Sequence, residues 1–399
     1  MKLGIEVLLD NKELLKQLKG QRVALVCHPA SVNQKLEHSF DLLHRKIGLA
    51  SAFGPQHGIK GDKQYNMIET EDEIDPKYQI PIFSLYGKVR RPTAEMMQTF
   101  DTLVFDLQDL GCRIYTFITT LLYIMEECAK HKKKLIILDR PNPAGREVEG
   151  LCLEEGHESF VGAAPIPMRH GLTVGEMAIY YQIHFGLHLD LSIVPMKGYS
   201  PNKKPGFGWH SDLAWINPSP NAQTLNMARA YPGTVLIEGT NLSEGRGTTR
   251  ALELIGAPDL DYTKILTWMK KTAPQWMKGA LVRECFFEPT FYKHQGKLCH
   301  GLQFHTDFAG YRPSDFKPYR QVALMLKAIR TLYPKYQIYR DFAYEYVTDR
   351  LAFDVINGGP KLREWIEDPG SKPKDLEKLL KSDENSWKRE MKKYFIYKT

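Results

Sequence analysis

Short apolar runs and dense polar clusters alternate through the first 140 residues. Residues 23–26 run into Cys27-His28-Pro29-Ala30-Ser31, 49–53 into Gly54-Pro55-Gln56-His57-Gly58, and 80–85 into Tyr86-Gly87. Residues 103–107 carry Asp106 and lead to Gln108 and Asp109, and 135–138 lead to Asp139-Arg140-Pro141-Asn142-Pro143. Runs this short and continuous predict buried strands of a parallel sheet. Helical patterns fall between them, at 12–18, 36–46, 93–100 and 118–130. Thr173, with Glu176 three positions on, has the spacing of a capping box for a helix reaching Phe185. In open α/β sheets ligands bind beyond the carboxyl ends of the strands. The polar strand ends are therefore expected to form one continuous site, as in an enzyme.

Residues 201–220, rich in Pro, Gly, Trp and Asn, read as an ordered loop or domain junction. A more mixed region follows: a strand at 235–237, a helix at 262–271, a strand at 302–304, a helix at 319–332, and a charged C-terminal helix burying Leu376, Leu379, Leu380 and Trp387. The expected fold class is α/β. A Rossmann-like parallel-sheet domain, residues 1–222, is followed by a smaller α+β domain, residues 223–399, with the site in the cleft between them.

Composition narrows the function mainly by exclusion. An apolar content of 43% and a charged content of 25% fit a globular protein, and no apolar run is long enough to span a membrane. The N-terminus lacks the pattern of a secretory signal, and the six cysteines form no C-x-x-C pair. A cytoplasmic protein with reduced thiols is the expectation. The net charge of +7 is spread along the chain without a basic aromatic stripe, which argues against nucleic acid and suits a small anionic substrate. No G-x-G-x-x-G, Walker A, H-E-x-x-H or G-x-S-x-G motif is present, so neither a cofactor nor a metal is expected.

The remaining chemistry is that of carboxylates, amides, Arg, His and aromatics, the groups that recognise sugars and protonate glycosidic oxygens. Asp106 lies within an apolar strand, with Arg113 and Tyr115 close enough in sequence to compensate its burial. Asp139, Arg140 and Asn142 form a rigid strand exit, and His170 precedes the capped helix, whose N-terminus could receive an anion. The loop from Glu238 to Thr249 adds Asn241, Glu244 and Arg246 among three glycines. Trp209 and Trp215 could stack on a sugar or serve as core.

Six segments then point to a family. FGPQHGIKGD (53–62), SLYGKVRRPT (84–93), LVFDLQDLGCRIYT (103–116), LDRPNP (138–143), PIPMRHGLTVGE (165–176) and EGTNLSEGRGT (238–248) resemble, in that order, the NamZ-like exo-β-N-acetylmuramidases, formerly a domain-of-unknown-function family. The resemblance implies a Rossmann-like domain facing a second domain, and release of N-acetylmuramic acid from non-reducing ends of peptidoglycan fragments in cell-wall turnover or recycling. Family members are often exported. It also exposes a departure: the family's Pro-Glu-His-Gly, whose Glu is the proposed acid, reads Pro55-Gln56-His57-Gly58 here. An amide cannot exchange that proton.

With Gln56 in that place, Asp106 and Glu244 become the candidate acids, beside His57. Arg113 or Arg246 would pair with the lactyl carboxylate, and His57, Asn142 and Asn241 would hold hydroxyls or the acetamido group. Asp109, Tyr115, Asp139, Arg140 and His170 complete the expected binding set, for a small glycan or muropeptide. A muropeptide-binding protein without turnover is the alternative.

Overall fold

The computed structural model describes residues 1–63 and 67–398. Its main sheet contains β1 (Val23–Val26), β2 (Leu49–Gly54), β3 (Glu73–Ile74), β4 (Pro81–Ser84), β5 (Thr102–Phe105) and β6 (Lys134–Leu138). The hairpin β7 (Glu149–Cys152) and β8 (Pro167–Arg169) stands apart, and β9 (Leu191–Val194) completes the sheet. The order is β3-β4-β2-β1-β5-β6-β9, parallel except for the antiparallel edge strand β3. The chain winds outward from β1 through β2 to β4, then returns to the other side of β1 at β5. This is the strand-order reversal of a doubly wound, Rossmann-like fold.

Strand periodicity explains how both faces are covered. Ala24 and Val26 join one core, while Val23 and Leu25 join the other, as alternation along a strand requires. Helices Gly4–Asp10, Lys12–Leu18 and Ser39–Ile47 supply the second core, and Phe117–Lys130 and Val174–His184 pack on the first. Thr173 and Glu176 form the expected capping box.

The first core does not stop at the sheet. It continues through Ile255, Leu302, Val322 and Ile356 of the second half. That half holds the antiparallel sheet β10 (Leu254–Ala257), β12 (Cys299–His305) and β11 (Leu281–Phe287), in that order, with the long helix Pro318–Leu332. The expected strand at 235–237 is instead a 3-10 helix, Val235–Gly239, continuing the helix Leu225–Thr234. Its apolar residues are buried by helix packing, which a three-residue run cannot distinguish from a strand. Of the C-terminal stripe, Leu376, Leu380 and Trp387 are buried and Leu379 is exposed. Among the described residues no helix is long and apolar enough to cross a membrane.

Candidate active site

The polar strand ends do not form one open site. The reversal point between β1 and β5 is filled by the chain itself. His28 is buried, donating from Nδ1 to the Pro218 carbonyl at 3.2 Å and accepting at Nε2 from the Gln108 amide at 2.9 Å. Asp106 is fully buried, its carboxylate held by Arg140 at 2.6 and 2.9 Å and by the Ser39 hydroxyl. Its cation is thus Arg140, correcting the expected pairing with Arg113. Arg113, also buried, donates to the carbonyls of Leu151 and Ile166 at 2.8 Å and to that of Asn357. It ties the two halves of the chain together.

The anion at the capped helix is likewise internal. Asp139 accepts from the Gly175 amide at 2.8 Å, the Thr173 hydroxyl at 2.8 Å and the Tyr397 hydroxyl at 2.7 Å. Burial pushes its pKa from 3.8 up to about 6 despite these donors. Asn142 closes its own turn, accepting from the Ala144 amide and donating to the Leu172 carbonyl, each at 2.9 Å. Asp109 accepts from the Gly111 amide at 2.6 Å, with His170 Nε2 3.8 Å away. Asn241 donates to the carbonyls of Gln337 and Tyr339 at 2.9 and 3.2 Å. None of these side chains lines the cleft described next.

That cleft opens at the end of β2. Gly54 leads into a tight turn in which the Gly58 amide donates to the Pro55 carbonyl at 2.9 Å. His57 and Gly58 there adopt left-handed φ values of 70° and 77°, a conformation that costs energy at His57 and rests on its surroundings. Gln56 and His57 are thereby presented to a crevice shared with Tyr115 and Thr116, with Ser219 and Asn221 of the junction, and with Tyr231, Arg246, Tyr344 and Glu345. Of the expected site residues, the fold brings Gln56, His57, Tyr115 and Arg246 together here.

Glu345 is the residue that sequence reasoning missed. It is 5% exposed, and its Oε1 accepts from Gln56 Nε2 at 3.1 Å and its Oε2 from the Tyr86 hydroxyl at 2.8 Å. Gln56 in turn accepts from the Thr116 hydroxyl at 2.7 Å. Burial pushes the Glu345 pKa from 4.5 up to about 6, against the opposing pull of those hydrogen bonds and of Arg90. It is the one carboxylate among the described residues lining the cleft. Its loop shows no helical or strand periodicity; two tyrosines flanking an acid, Tyr344-Glu345-Tyr346, were the only available signal.

The other charges are mutually committed. Arg246 donates from Nη2 to Glu238 at 2.6 Å and from Nε to Glu244 at 3.1 Å, while Glu238 also accepts from the Tyr344 hydroxyl at 2.6 Å. Lys293 lies 2.9 Å from Glu244 Oε2. Burial would raise the pKa of Glu244, but Lys293 and Arg246 outweigh it and hold it below its ordinary value. Glu244 is thus held ionised beneath Arg246 and does not line the cleft. His57 donates from Nδ1 to the Lys63 carbonyl at 2.8 Å, which leaves Nε2 the acceptor. Burial lowers its pKa to about 4, so the ring is neutral. Among the described residues no cluster of His, Cys, Asp and Glu is placed to hold a metal ion.

In this structure the cleft leaves about 30 Å³ for the centres of water-sized molecules, room for a water or two and not for a sugar ring. The loop carrying Glu345 forms one wall. Glu345 and Tyr346 have left-handed φ values of 48° and 67°, and the Tyr346 hydroxyl donates to Glu69 at 3.0 Å. The Arg90 guanidinium lies 4.1 Å from the Tyr86 ring centre and 4.7 Å from that of Tyr346.

Fold and cleft define a doubly wound α/β protein whose second half supplies a buried carboxyl to the end of the parallel sheet. Residues 23–226 match the family described as exo-beta-N-acetylmuramidase NamZ, N-terminal, and residues 229–397 its C-terminal counterpart. The chain belongs to the NamZ family. It is 40% identical to the peptidoglycan beta-N-acetylmuramidase NamZ of Bacillus subtilis (strain 168), covering 99% of this chain and 91% of that protein. Two crystal structures of DUF1343 family proteins from Bacteroides fragilis NCTC 9343 are similar over 100% of this chain and 99% of theirs. Their TM-scores are 0.84 and 0.74, at 29% and 26% identity.

Proposed function

We propose that this chain is a glycoside hydrolase of peptidoglycan fragments, releasing N-acetylmuramic acid or a related amino sugar from non-reducing ends during cell-wall turnover or recycling. In this reading residues 1–222 and 223–399 are the two halves that close on the sugar. The observation that carries it is Glu345, a buried carboxyl with a pKa of about 6 at the place where the family motif meets the second half of the chain. The curated relative's activity on peptidoglycan supports the substrate class.

The geometry favours Glu345 over Asp106 and Glu244 as proton donor, since each of those is ion-paired with a cation and neither lines the cleft. Glu345 would protonate the glycosidic oxygen as that bond to the anomeric carbon breaks. Gln56 holds one carboxyl oxygen and Tyr86 the other, and Gln56 is a positioning residue. With a single carboxylate lining the cleft among the described residues, the substrate's own acetamido oxygen is the fitting nucleophile, closing a cyclic intermediate on the anomeric carbon. Water then opens that intermediate, giving its proton to the Glu345 carboxylate and restoring the acid. Entry of a sugar requires the Tyr344–Glu345–Tyr346 segment to swing outward, and its return expels water and places the acid.

The test is release of chromophore from a β-linked N-acetylmuramic acid glycoside, with mass spectrometry of muropeptide digests. Release by the wild type and its loss in Glu345→Gln support the reading. Saturable binding of muropeptides with no product would instead mark a binding protein, the reading that Gln56 in the family's acid position favours.

A further inference from the structure

We propose that a wide groove, separate from the cleft, is a second binding site that takes a carboxylate-bearing amino-sugar strand. The groove lies between the junction segment around Phe207–Trp215 and the loop 306–312, and leaves about 790 Å³ for the centres of water-sized molecules, against about 30 Å³ in the cleft. That is the size range of specific ligand sites. The inference rests on the proposed function only for the identity of the polymer.

Aromatic rings set the character of the groove. Trp209 and Trp215 meet with centroids 4.9 Å apart at 57°, and Phe207 and Tyr311 meet edge to face at 6.0 Å. Phe308 stands 36% exposed at the rim. Pyranose rings present apolar C–H faces edged by hydroxyls, so a ring-lined trough with polar edges suits them better than a lipid or an apolar helix. Sequence reasoning left Trp209 and Trp215 open between sugar stacking and core. Trp209 is buried and Trp215 half-buried against the main core, and the edges of both line this groove, away from Glu345.

Arg229 gives the ligand its charge. It is 6% exposed, donates to the carbonyls of Gly206 and Thr306 at 2.5 and 3.5 Å, and lies over the Tyr311 ring at 4.6 Å. Its Nε has no hydrogen-bond partner among the described residues, and none of the described carboxylates forms an ion pair with it. Asp307, across the groove, acts on this guanidinium only at longer range than an ion pair. A guanidinium withdrawn from water without a contacting carboxylate is costly, and a carboxylate is its bidentate match. Lys204 also lines the groove, against Asp307 as the one acid among the described lining residues, while Arg312 at its edge is paired with Asp315 at 2.7 Å. Such a balance selects an anionic strand: muramic acid carries a lactyl carboxylate, and its stem peptides carry more.

The placement relates the groove to catalysis. Leu225 and Arg229 of the helix Leu225–Thr234 face the groove, whereas Met227 and Tyr231 line the cleft. Positions two apart lie about 200° apart around a helix, so the two sites occupy opposite sides of one rigid element. The junction loop serves both, giving Trp209 and Trp215 to the groove and Ser219 and Asn221 to the cleft. A strand held in the groove would keep the enzyme on its polymer while the cleft trims ends.

The full-length protein is tested in two assays: calorimetric binding of soluble peptidoglycan strands in the Glu345→Gln background, and turnover of the small chromogenic glycoside with Glu345 intact. Phe308→Ala, at the surface, and Arg229→Gln are each expected to weaken strand binding at least tenfold and to leave kcat/KM for the small glycoside within twofold. Strands whose carboxylates are amidated should bind at least tenfold more weakly. Strand binding within twofold of the parent protein in both folded variants, equal binding of amidated strands, or no strand binding at all would each overturn the proposal. Failure of the wild type to release the chromophore would sink the catalytic reading alone, because strand binding is measured separately.

Discussion

Glu345→Gln should make the protein more stable and far less active. A rise in pKa from 4.5 to about 6 means that folding disfavours the ionised form by about 2 kcal/mol. The sign follows from the direction of the shift. The native state binds the proton more tightly than the unfolded chain, so this contribution to stability is complete below pH 4.5 and lost as pH rises through about 6. Gln resembles the protonated carboxyl: its oxygen can accept from Gln56 and its amide can donate to the Tyr86 hydroxyl, replacing both present contacts. Urea unfolding should therefore find Glu345→Gln about 2 kcal/mol more stable than wild type at pH 7.5 and equal to it near pH 4. Over the same range kcat/KM should fall by roughly 10²- to 10⁴-fold, the usual contribution of a positioned acid. The wild-type profile should decline above about pH 6 as Glu345 ionises, and below about pH 4 as His57 becomes charged. Activity within tenfold of wild type, or an alkaline limb that survives in the variant, would refute the assignment.

Gln56→Glu would set a second carboxyl at hydrogen-bond distance from Glu345; the pair should share a proton, and the alkaline limb of the pH–rate profile should move up by about one pH unit or more. Asp106→Ala strands the buried Arg140 guanidinium, so chemical unfolding should show a loss of about 3–5 kcal/mol, with kcat of the folded fraction near wild type. Gly111→Ala should cost stability as well, because its φ is 75° and an added Cβ would lie 2.0 Å from Asn142 Oδ1. A thermal melt checks it, and an unchanged midpoint would contradict the packing described at that turn.

Much of this protein was legible in the chain. Short buried runs of Val, Leu and Ile marked the main parallel strands, because a strand covered on both faces cannot alternate with polar residues. Thr173 and Glu176 marked a helix start, because that cap is made within four consecutive residues. The turn holding Gln56 and His57, and the loop holding Arg246, were found as polar clusters following apolar runs, and both reach the cleft. What the chain alone left open was which carboxylate remains free to exchange a proton. That depends on partners far away in sequence: Arg140 for Asp106, Lys293 for Glu244, and for Glu345 the neutral hydrogen-bond donors Gln56 and Tyr86, with Arg90 acting on it only from beyond contact. Local pattern records whether a side chain is covered, since burial follows the period of its own strand or helix. Whether a cation or a neutral donor meets it there is settled only when segments nearly 300 residues apart close on one another.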